Sequence, residues 1–375
     1  MTKILDTGNA ACALAVKAAK VDMIAAYPIT PQTSVVEKLA SFIAEGAMVA
    51  KYLPVESEHS AMSAVAAAAS TGARVFTATS SQGLLYMHEI LHYAAGGRLS
   101  IVMANVNRAV CAPWCLYVDH QDSVSQRDTG WIQLYAATNQ EIYDSVILAY
   151  KVAEELNIPV MVNYDGFLVS HSMMPFEVVD QEIIDQFLPP FEPAWRLHPQ
   201  WGGTFASVTP SENYVPFRTR LAEDILKAAD IIKKYAGEYE KLTGHWHGDL
   251  FQTYRAEDAE FFLLSMGSMG AEMELAVDKL RAKGIPAAGL RLRVFRPFPG
   301  EELSRILPED SKLLVFDRNM AFGTKGGALL SDAKTALFDR KDHIKITGQV
   351  MGLGGEDLPA NYLVQKAQEM MEVLK

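Results

Sequence analysis

Short apolar runs and alanine-rich stretches alternate through the first 165 residues of the 375-residue chain. The apolar runs have the length of buried strands, and they lie at Met23 to Ala26, Val75 to Ala78, Ile101 to Ala104 and Ile158 to Val162. The stretches between them suit helices, and they lie at Ala10 to Lys20, Ser34 to Glu45, His59 to Thr71, Leu84 to Ala95 and Gln140 to Leu156. Because strands that alternate with helices form a parallel sheet covered on both faces, this pattern predicts an α/β fold.

The alternation stops at about Pro189 and restarts near Glu260. Between these points lie many prolines and aromatic residues, a charged helix predicted from Arg218 to Lys241, and the unusual run Gly244 to Gly248. A polar linker would not carry so many aromatic residues, so we predict that residues 189–258 form an ordered connector that wraps a neighbouring chain.

The restarted pattern predicts a second, smaller α/β domain over residues 259–375, after a first domain over residues 1–188. Its strands are predicted at Phe261 to Ser265, Ala287 to Val294, Lys312 to Phe316 and Ile344 to Val350. A turn at Gly267 to Gly270, a helix from Ala271 to Lys283 and a C-terminal helix complete the predicted domain.

Loops of the first domain are expected to share one rim, because ligands bind at the carboxyl ends of parallel strands. These loops are Pro28 to Pro31, Val55 to Glu58, Thr79 to Gly83 and Asn105 to Asp128. In the first of them Thr30 stands between two prolines, which hold the loop extended and make its hydroxyl a candidate ligand group. The alternative is a rigid turn in which Thr30 only caps the next helix.

Glu58 lies at the start of an alanine-rich helix that must be buried. A carboxylate in that position needs a cation or a ligand nitrogen as its partner, whereas Glu56 is interpreted as a charge that stabilises the helix start. The loop with Ser81 and Gln82 offers hydroxyl, amide and backbone donors, which suit a ligand or a helix cap equally well.

Arg108 follows a buried strand, and its planar fork suits a carboxylate or a phosphate. The alternative pairs it with Asp119 or Asp122, and the sequence does not choose between these two interpretations. His88 and His92 share a helix face without an evident third ligand, so we interpret them as packing residues and expect no metal site.

The composition disfavours several classes of protein. The formal net charge of -11 disfavours a nucleic-acid or anionic-membrane partner. No apolar run reaches membrane-spanning length and the N-terminus lacks the apolar core of a signal peptide, so a cytoplasmic location is expected. The three cysteines, Cys12, Cys111 and Cys115, are too few for a disulfide framework or for an iron–sulfur cluster held within the chain.

Seven motifs follow one another in a distinctive order: Tyr27 to Pro31, Glu56 to Glu58, Ser81 to Leu84, Asn107 to Ala109, Asp119 to Asp122, Arg127 to Trp131 and Phe295 to Pro299. In this order they resemble the alpha subunit of the 2-oxoacid:ferredoxin oxidoreductases, and most closely the pyruvate type. The similarity extends over almost the whole chain, including Asp317 to Asn319 and Gly352 to Gly355. It implies a thiamin diphosphate-binding, pyrimidine-type parallel-sheet domain and a transketolase C-terminal-like α/β domain.

The resemblance also implies an activity that needs several chains. This subunit would take part in the coenzyme A-dependent oxidative decarboxylation of a 2-oxo acid, with pyruvate favoured. Thiamin diphosphate would be shared with a beta subunit, and magnesium and [4Fe-4S] clusters would lie in partner subunits of beta, gamma and delta type. Ferredoxin would accept the electrons, and the hetero-oligomer is expected to form a dimer.

Site roles carry over by the same resemblance. Glu58 matches the catalytic glutamate that hydrogen-bonds the aminopyrimidine ring of thiamin, and Thr30 and Arg108 match the substrate-binding residues. Further cofactor-binding residues are expected at Pro28, Ile29, Ser81 and Gln82.

Trp114 departs from the residues that usually follow this arginine in the pyruvate enzymes. It could line the substrate pocket, which would favour a branched-chain or aryl 2-oxo acid, or it could face a neighbouring subunit. A noncatalytic scaffold subunit is the alternative from another functional class.

Overall fold

The computed structural model describes residues 1–200, 202–340 and 344–374. Its strands are β1 (Thr2–Asp6), β2 (Met23–Ala26), β3 (Lys51–Pro54), β4 (Val75–Thr79), β5 (Ile101–Asn107), β6 (Ile132–Ala136), β7 (Val160–Asp165), β8 (Met174–Val178), β9 (Phe251–Tyr254), β10 (Phe261–Met266), β11 (Ala287–Leu292), β12 (Val294–Arg296), β13 (Lys312–Asp317) and β14 (Lys345–Val350). Its helices are α1 (Gly8–Ala18), α2 (Thr33–Ala44), α3 (Glu58–Ser70), α4 (Ser81–Tyr86), α5 (His88–Gly96), α6 (Gln121–Val124), α7 (Asn139–Leu156), α8 (Gln181–Phe187), α9 (Ser211–Thr243), α10 (Gly267–Ala282), α11 (Gly300–Ile306), α12 (Ala328–Leu337) and α13 (Ala360–Val373).

Seven strands within the described ranges form the larger sheet, in the order β12-β6-β7-β5-β4-β2-β3. Neighbouring strands are parallel except for β12, which runs antiparallel to β6 at one edge. The central strands β4, β5 and β7 are buried at every position, as expected of a parallel sheet with helices on both faces. The predicted α/β fold is confirmed.

The second sheet has the order β14-β13-β10-β11-β9 across the part of the chain that the structure describes. Its pairs are parallel except for β9, which runs antiparallel to β11. Residues Gly267 to Gly270 were predicted as a turn, and this is wrong because they form the first turn of α10. Gly267 adopts φ +60°, and a Cβ at Gly270 would collide with the side chain of Arg291.

Two edge strands cross the predicted domain boundaries. β9 lies within the predicted connector but pairs with the second sheet. The predicted strand from Ala287 to Val294 is wrong in its C-terminal part, because β11 ends at Leu292 and the chain continues as β12 in the larger sheet. The chain therefore interlocks its two larger sheets, and a separate two-stranded sheet pairs β1 with β8.

The connector contains α9, which extends the predicted charged helix at both ends. Its buried residues include Tyr235 and Tyr239, which pack edge to face against Phe187 of α8. Tyr239 also donates a 2.7 Å hydrogen bond to Asp144 of α7. The connector is thus ordered against its own chain, and its contact with a neighbouring chain stays a prediction.

Buried ion pairs join the two parts of the chain. Glu141 of α7 accepts hydrogen bonds from Arg291 and Arg293 at 2.7 and 2.6 Å. Asp165, at the end of β7, accepts from His120 and Arg318, each at 2.8 Å. None of the helices described here is long and apolar enough to cross a membrane.

Candidate active site

Four neighbouring strands of the larger sheet end at one edge. β5, β4, β2 and β3 are adjacent and parallel. Their carboxyl ends lead into Tyr27 to Pro31, Val55 to Ser57, Ser80 and the segment that starts at Arg108. The predicted rim is confirmed.

Arg108 ties two of these loops together. One terminal nitrogen, Nη1, donates to the carbonyl oxygen of Thr30 at 2.6 Å, and the other, Nη2, donates to Oε1 of Gln82 at 2.6 Å. The residue is only 4% exposed, and its Nε has no hydrogen-bond partner among the described residues. Burial lowers the pKa of Arg108 while the charge of Asp122 opposes that shift, and arginine stays cationic at neutral pH.

The predicted alternative for Arg108 was an ion pair with Asp119 or Asp122. In the described residues neither carboxylate contacts the guanidinium group; Asp119 instead accepts the Gln121 N–H at 3.0 Å. Asp122 accepts the backbone N–H of Arg108 at 3.1 Å and leaves the side chain free to face the rim. The ion-pair interpretation is therefore wrong, although Asp122 does contact Arg108.

Glu58 begins α3 and is 8% exposed. The cap of this helix is Ser57, whose hydroxyl oxygen accepts the Ser60 N–H at 3.2 Å. Glu56 is exposed and accepts a hydrogen bond from the Ser60 hydroxyl. Glu58 has no hydrogen bond or ion pair with any residue that the structure describes, so this buried carboxyl group is available to a ligand.

The loop after β4 approaches Glu58 closely. A Cβ at Gly83 would lie 2.6 Å from Oε1 of Glu58 and 2.6 Å from Oγ1 of Thr79, so only glycine leaves room for the carboxyl group. Ser81 adopts φ +50°, and its hydroxyl oxygen lies 2.7 Å from the carbonyl oxygen of Ala109. The Ser81 hydroxyl is thus engaged within the protein, while Gln82 faces Arg108.

The first loop presents exposed residues to the same edge. Pro28 and Thr30 are exposed, and Ile29 donates its backbone N–H to Oε1 of the buried Gln32 at 3.3 Å. Gln32 therefore fixes the conformation of the first loop from the buried side. Its role was missed from the sequence, because a glutamine beside a proline gives no signal of burial.

Several buried polar atoms at this edge of the sheet have no hydrogen-bond partner among the residues that the structure describes: Gln32 Nε2, Thr79 Oγ1, Ser80 Oγ, Gln82 Nε2 and Arg108 Nε. Each such atom costs about 1–3 kcal/mol when it stays unsatisfied. Their concentration at one edge fits the binding of a polar ligand.

Metal-binding side chains are not grouped in the part of the chain that the structure describes, where no cluster of three His, Cys, Asp or Glu residues is arranged to hold an ion. His88 and His92 contact each other edge to face with ring centroids 4.9 Å apart. This contact is consistent with the packing role that the sequence predicts for them, which stays a prediction.

Comparison with known families gives two matches along the chain. Residues 14–237 match the family described as pyruvate flavodoxin/ferredoxin oxidoreductase, thiamine diP-binding. Residues 259–362 match the pyruvate:ferredoxin oxidoreductase core domain II.

Curated relatives match nearly the full chain. The ketoisovalerate oxidoreductase subunit VorA of Pyrococcus horikoshii is 45% identical over 98% of this chain and 94% of its own length. The pyruvate synthase subunit PorA of Methanothermobacter thermautotrophicus is 44% identical over 94% of this chain and 91% of its own length.

Two solved structures share the fold. A 2-oxoglutarate:ferredoxin oxidoreductase from Magnetococcus marinus superposes with a TM-score of 0.75 at 17% identity, covering 98% of this chain and 65% of that one. An inactive beta4 tetramer of a split gene transketolase gives a TM-score of 0.59 at 14% identity, covering 99% of each chain. Together with the two family matches, these similarities confirm the expected α/β fold with its thiamin diphosphate-binding domain.

Proposed function

The chain belongs to the pyruvate flavodoxin/ferredoxin oxidoreductase family, and on that premise we propose that it is the alpha subunit of a thiamin diphosphate-dependent 2-oxoacid:ferredoxin oxidoreductase. The complex catalyses the coenzyme A-dependent oxidative decarboxylation of a 2-oxo acid, reversibly in principle. The observation that carries the proposal is the meeting, at one sheet edge, of the buried Glu58 carboxyl group and the Arg108 fork.

Thiamin diphosphate, when bound, supplies a nucleophilic carbon and an electron sink for the decarboxylation. Glu58 would accept a hydrogen bond from the aminopyrimidine ring, which would favour the tautomer that can take up a proton. Gln82 offers its Nε2, which has no partner within the described part of the chain, and Pro28 and Ile29 present the edge of the first loop. Ser81 contributes by holding the loop in place.

Arg108 binds the carboxylate of the 2-oxo acid. Two of its five N–H groups are directed to Thr30 and Gln82, and these contacts fix the plane of the fork. The buried Nε has no partner among the described residues and supplies one charge-assisted hydrogen bond. Thr30, exposed on the first loop, binds an oxygen of the same substrate.

Pyruvate is the favoured substrate, with a branched-chain 2-oxo acid as the second candidate. The relative named for ketoisovalerate is as similar to this chain as the one named for pyruvate, at 45% against 44% identity. Trp114 is 72% exposed on the loop that Ala109 and Tyr117 close with a 2.9 Å backbone hydrogen bond. There it suits either a substrate pocket completed by a partner or an interface between subunits.

The remaining cofactors are assigned to partner subunits of beta, gamma and delta type. The three cysteines of this chain are one fewer than the four that an iron–sulfur cluster requires. Magnesium accompanies the diphosphate in the beta subunit, ferredoxin accepts the electrons, and the hetero-oligomer forms a dimer in the cytoplasm.

Replacing Arg108 tests this function. In the purified complex, Arg108→Ala should raise the apparent KM for the 2-oxo acid about ten- to a hundredfold, because a charge-assisted hydrogen bond is lost. Arg108→Lys should recover only part of the loss, since lysine keeps the charge without the fork. The assay is viologen reduction with coenzyme A and a panel of 2-oxo acids, which also identifies the preferred substrate.

The matched control is Arg305→Ala, which removes an arginine that is 63% exposed on α11 and should leave the KM unchanged. An unaltered KM in Arg108→Ala, with a lowered melting temperature, would show a structural role instead. A wild-type complex that reduces viologen with none of the 2-oxo acids would refute the proposed function.

Replacing Gly83 tests the position of Glu58. Gly83→Ala places a methyl group against the Glu58 carboxyl group and the Thr79 hydroxyl, so turnover should fall while the complex still assembles. Gly96→Ala is the control, because a Cβ there meets no atom within 4 Å. Equal turnover in both variants would mean that Glu58 tolerates displacement and is not catalytic.

A further inference from the structure

Asp122 lies directly behind the candidate active site. It is fully buried in α6, and it belongs to neither the cofactor-binding nor the substrate-binding residues expected for this chain. One carboxylate oxygen, Oδ2, accepts the backbone N–H of Ser81 at 3.0 Å and that of Arg108 at 3.1 Å. Asp122 therefore holds the backbones of two different loops at once.

The other oxygen is also fully used. Oδ1 of Asp122 accepts the side-chain amide of Asn107 at 2.7 Å and the backbone N–H of Ser123 at 2.7 Å. All four of these contacts are made by N–H donors, so the carboxylate can satisfy them without a proton. Burial raises the pKa of Asp122, while the donors from Asn107, Ser81, Arg108 and Ser123 lower it.

The two loops that Asp122 joins also meet through their side chains. Gln82, next to Ser81, accepts from Nη2 of Arg108 at 2.6 Å, and the Ser81 hydroxyl oxygen lies 2.7 Å from the Ala109 carbonyl oxygen. These hydrogen bonds form a closed circuit through Asp122, Ser81, Gln82 and Arg108. In this circuit the Asp122 carboxylate fixes the backbone N–H groups of Ser81 and Arg108, and therefore the starting points of the Gln82 and Arg108 side chains.

We propose that Asp122 is a positioning residue that sets the direction of the Arg108 fork by holding the backbone N–H groups of Ser81 and Arg108. It touches neither substrate nor cofactor and acts through Arg108. The inference rests on the proposed function, since its readout is the binding of the 2-oxo acid.

The test is Asp122→Asn in the purified complex. An amide has one acceptor oxygen and one donor group, so in either orientation its NH2 faces a pair of N–H donors. The loop behind Arg108 should shift, and the KM for the 2-oxo acid should rise about 5- to 100-fold. If Asp122 acts through Arg108, the same substitution in an Arg108→Ala background should change KM by less than about twofold.

A paired exchange gives the rescue. Asn107→Asp together with Asp122→Asn places a carboxylate at position 107. The new amide at position 122 can donate to that carboxylate while its oxygen accepts from Ser81 and Arg108. The double variant should bring the raised KM part of the way back to the wild-type value, because the Ser123 N–H still faces the amide nitrogen. Asp128→Asn, at an exposed aspartate of the same long loop, is the control and should leave KM unchanged.

The outcomes separate the inference from the function on which it rests. An active wild-type complex with an unchanged KM in Asp122→Asn, or with equal KM increases in the wild-type and Arg108→Ala backgrounds, overturns the positioning role alone. A wild-type complex without any 2-oxo acid-dependent viologen reduction overturns the proposed function and the inference together. A raised KM that is absent in the Arg108→Ala background supports both.

Discussion

Glu58→Gln should lower the turnover of the assembled complex by about 10²- to 10⁴-fold, the range typical of a lost acid–base contribution. The amide keeps the shape of the side chain but cannot favour the cofactor tautomer as a carboxylate does. The capping role is already filled by Ser57, so the helix should form normally in the variant. Steady-state viologen reduction and gel filtration of the same preparation measure turnover and assembly.

Glu56→Gln is the matched control for this prediction. Glu56 lies two residues away on the same loop, is exposed and contacts the Ser60 hydroxyl, so its loss should leave turnover within about twofold. Near wild-type turnover in Glu58→Gln would assign Glu58 to the helix start alone. It would also favour the noncatalytic scaffold as the role of the subunit.

The sequence predicts elements well where one local pattern decides them. β2 and the parts of β5 and β7 within the predicted runs are uninterrupted apolar segments of a buried parallel sheet, and the run in β4 is interrupted only by the buried Thr77. β3 was missed because Lys51–Pro54 has no such run and lies at the sheet edge, where burial is partial. β12 was misplaced because only a distant pairing, with β6, draws its three residues into the larger sheet.

The site could be predicted as a set of loops but not as a network. Topology alone places Thr30, Glu58 and Arg108 on one rim, since their strands are neighbours. It does not tell whether Asp122 faces the guanidinium group or the backbone of Arg108, because that depends on how α6 is turned. The donors that satisfy Asp122 come from four residues whose meeting no sequence spacing reveals.

Glu141→Gln should lower the free energy of unfolding by about 3–5 kcal/mol, because it leaves two buried arginines without their charge partner. Glu141, Arg291 and Arg293 are each no more than 5% exposed. Glu141 also accepts the Ala137 N–H at 2.9 Å, which anchors the carboxylate at the start of α7. Thermal and urea unfolding of the complex measure the loss.

Glu369→Gln, which breaks the exposed pair with Lys366 on α13, is the control and should cost no more than about 1 kcal/mol of unfolding free energy.

The pH dependence of that loss gives an independent check. Burial raises the pKa of Glu141, but Arg291 and Arg293 outweigh this and lower it from 4.5 to about 2. A folded-state pKa below the unfolded value stabilises the protein above the unfolded pKa, and this stability is lost as the pH falls toward the folded value. The difference between wild type and Glu141→Gln should therefore be constant from neutral pH to about pH 5 and shrink as the pH falls below 4.5. The buried Asp119 and Asp317, whose pKa values burial raises to about 6, are present in both proteins and cancel in the difference. A difference that stays constant down to pH 3 would show that the lost stability comes from packing and not from the charge of Glu141.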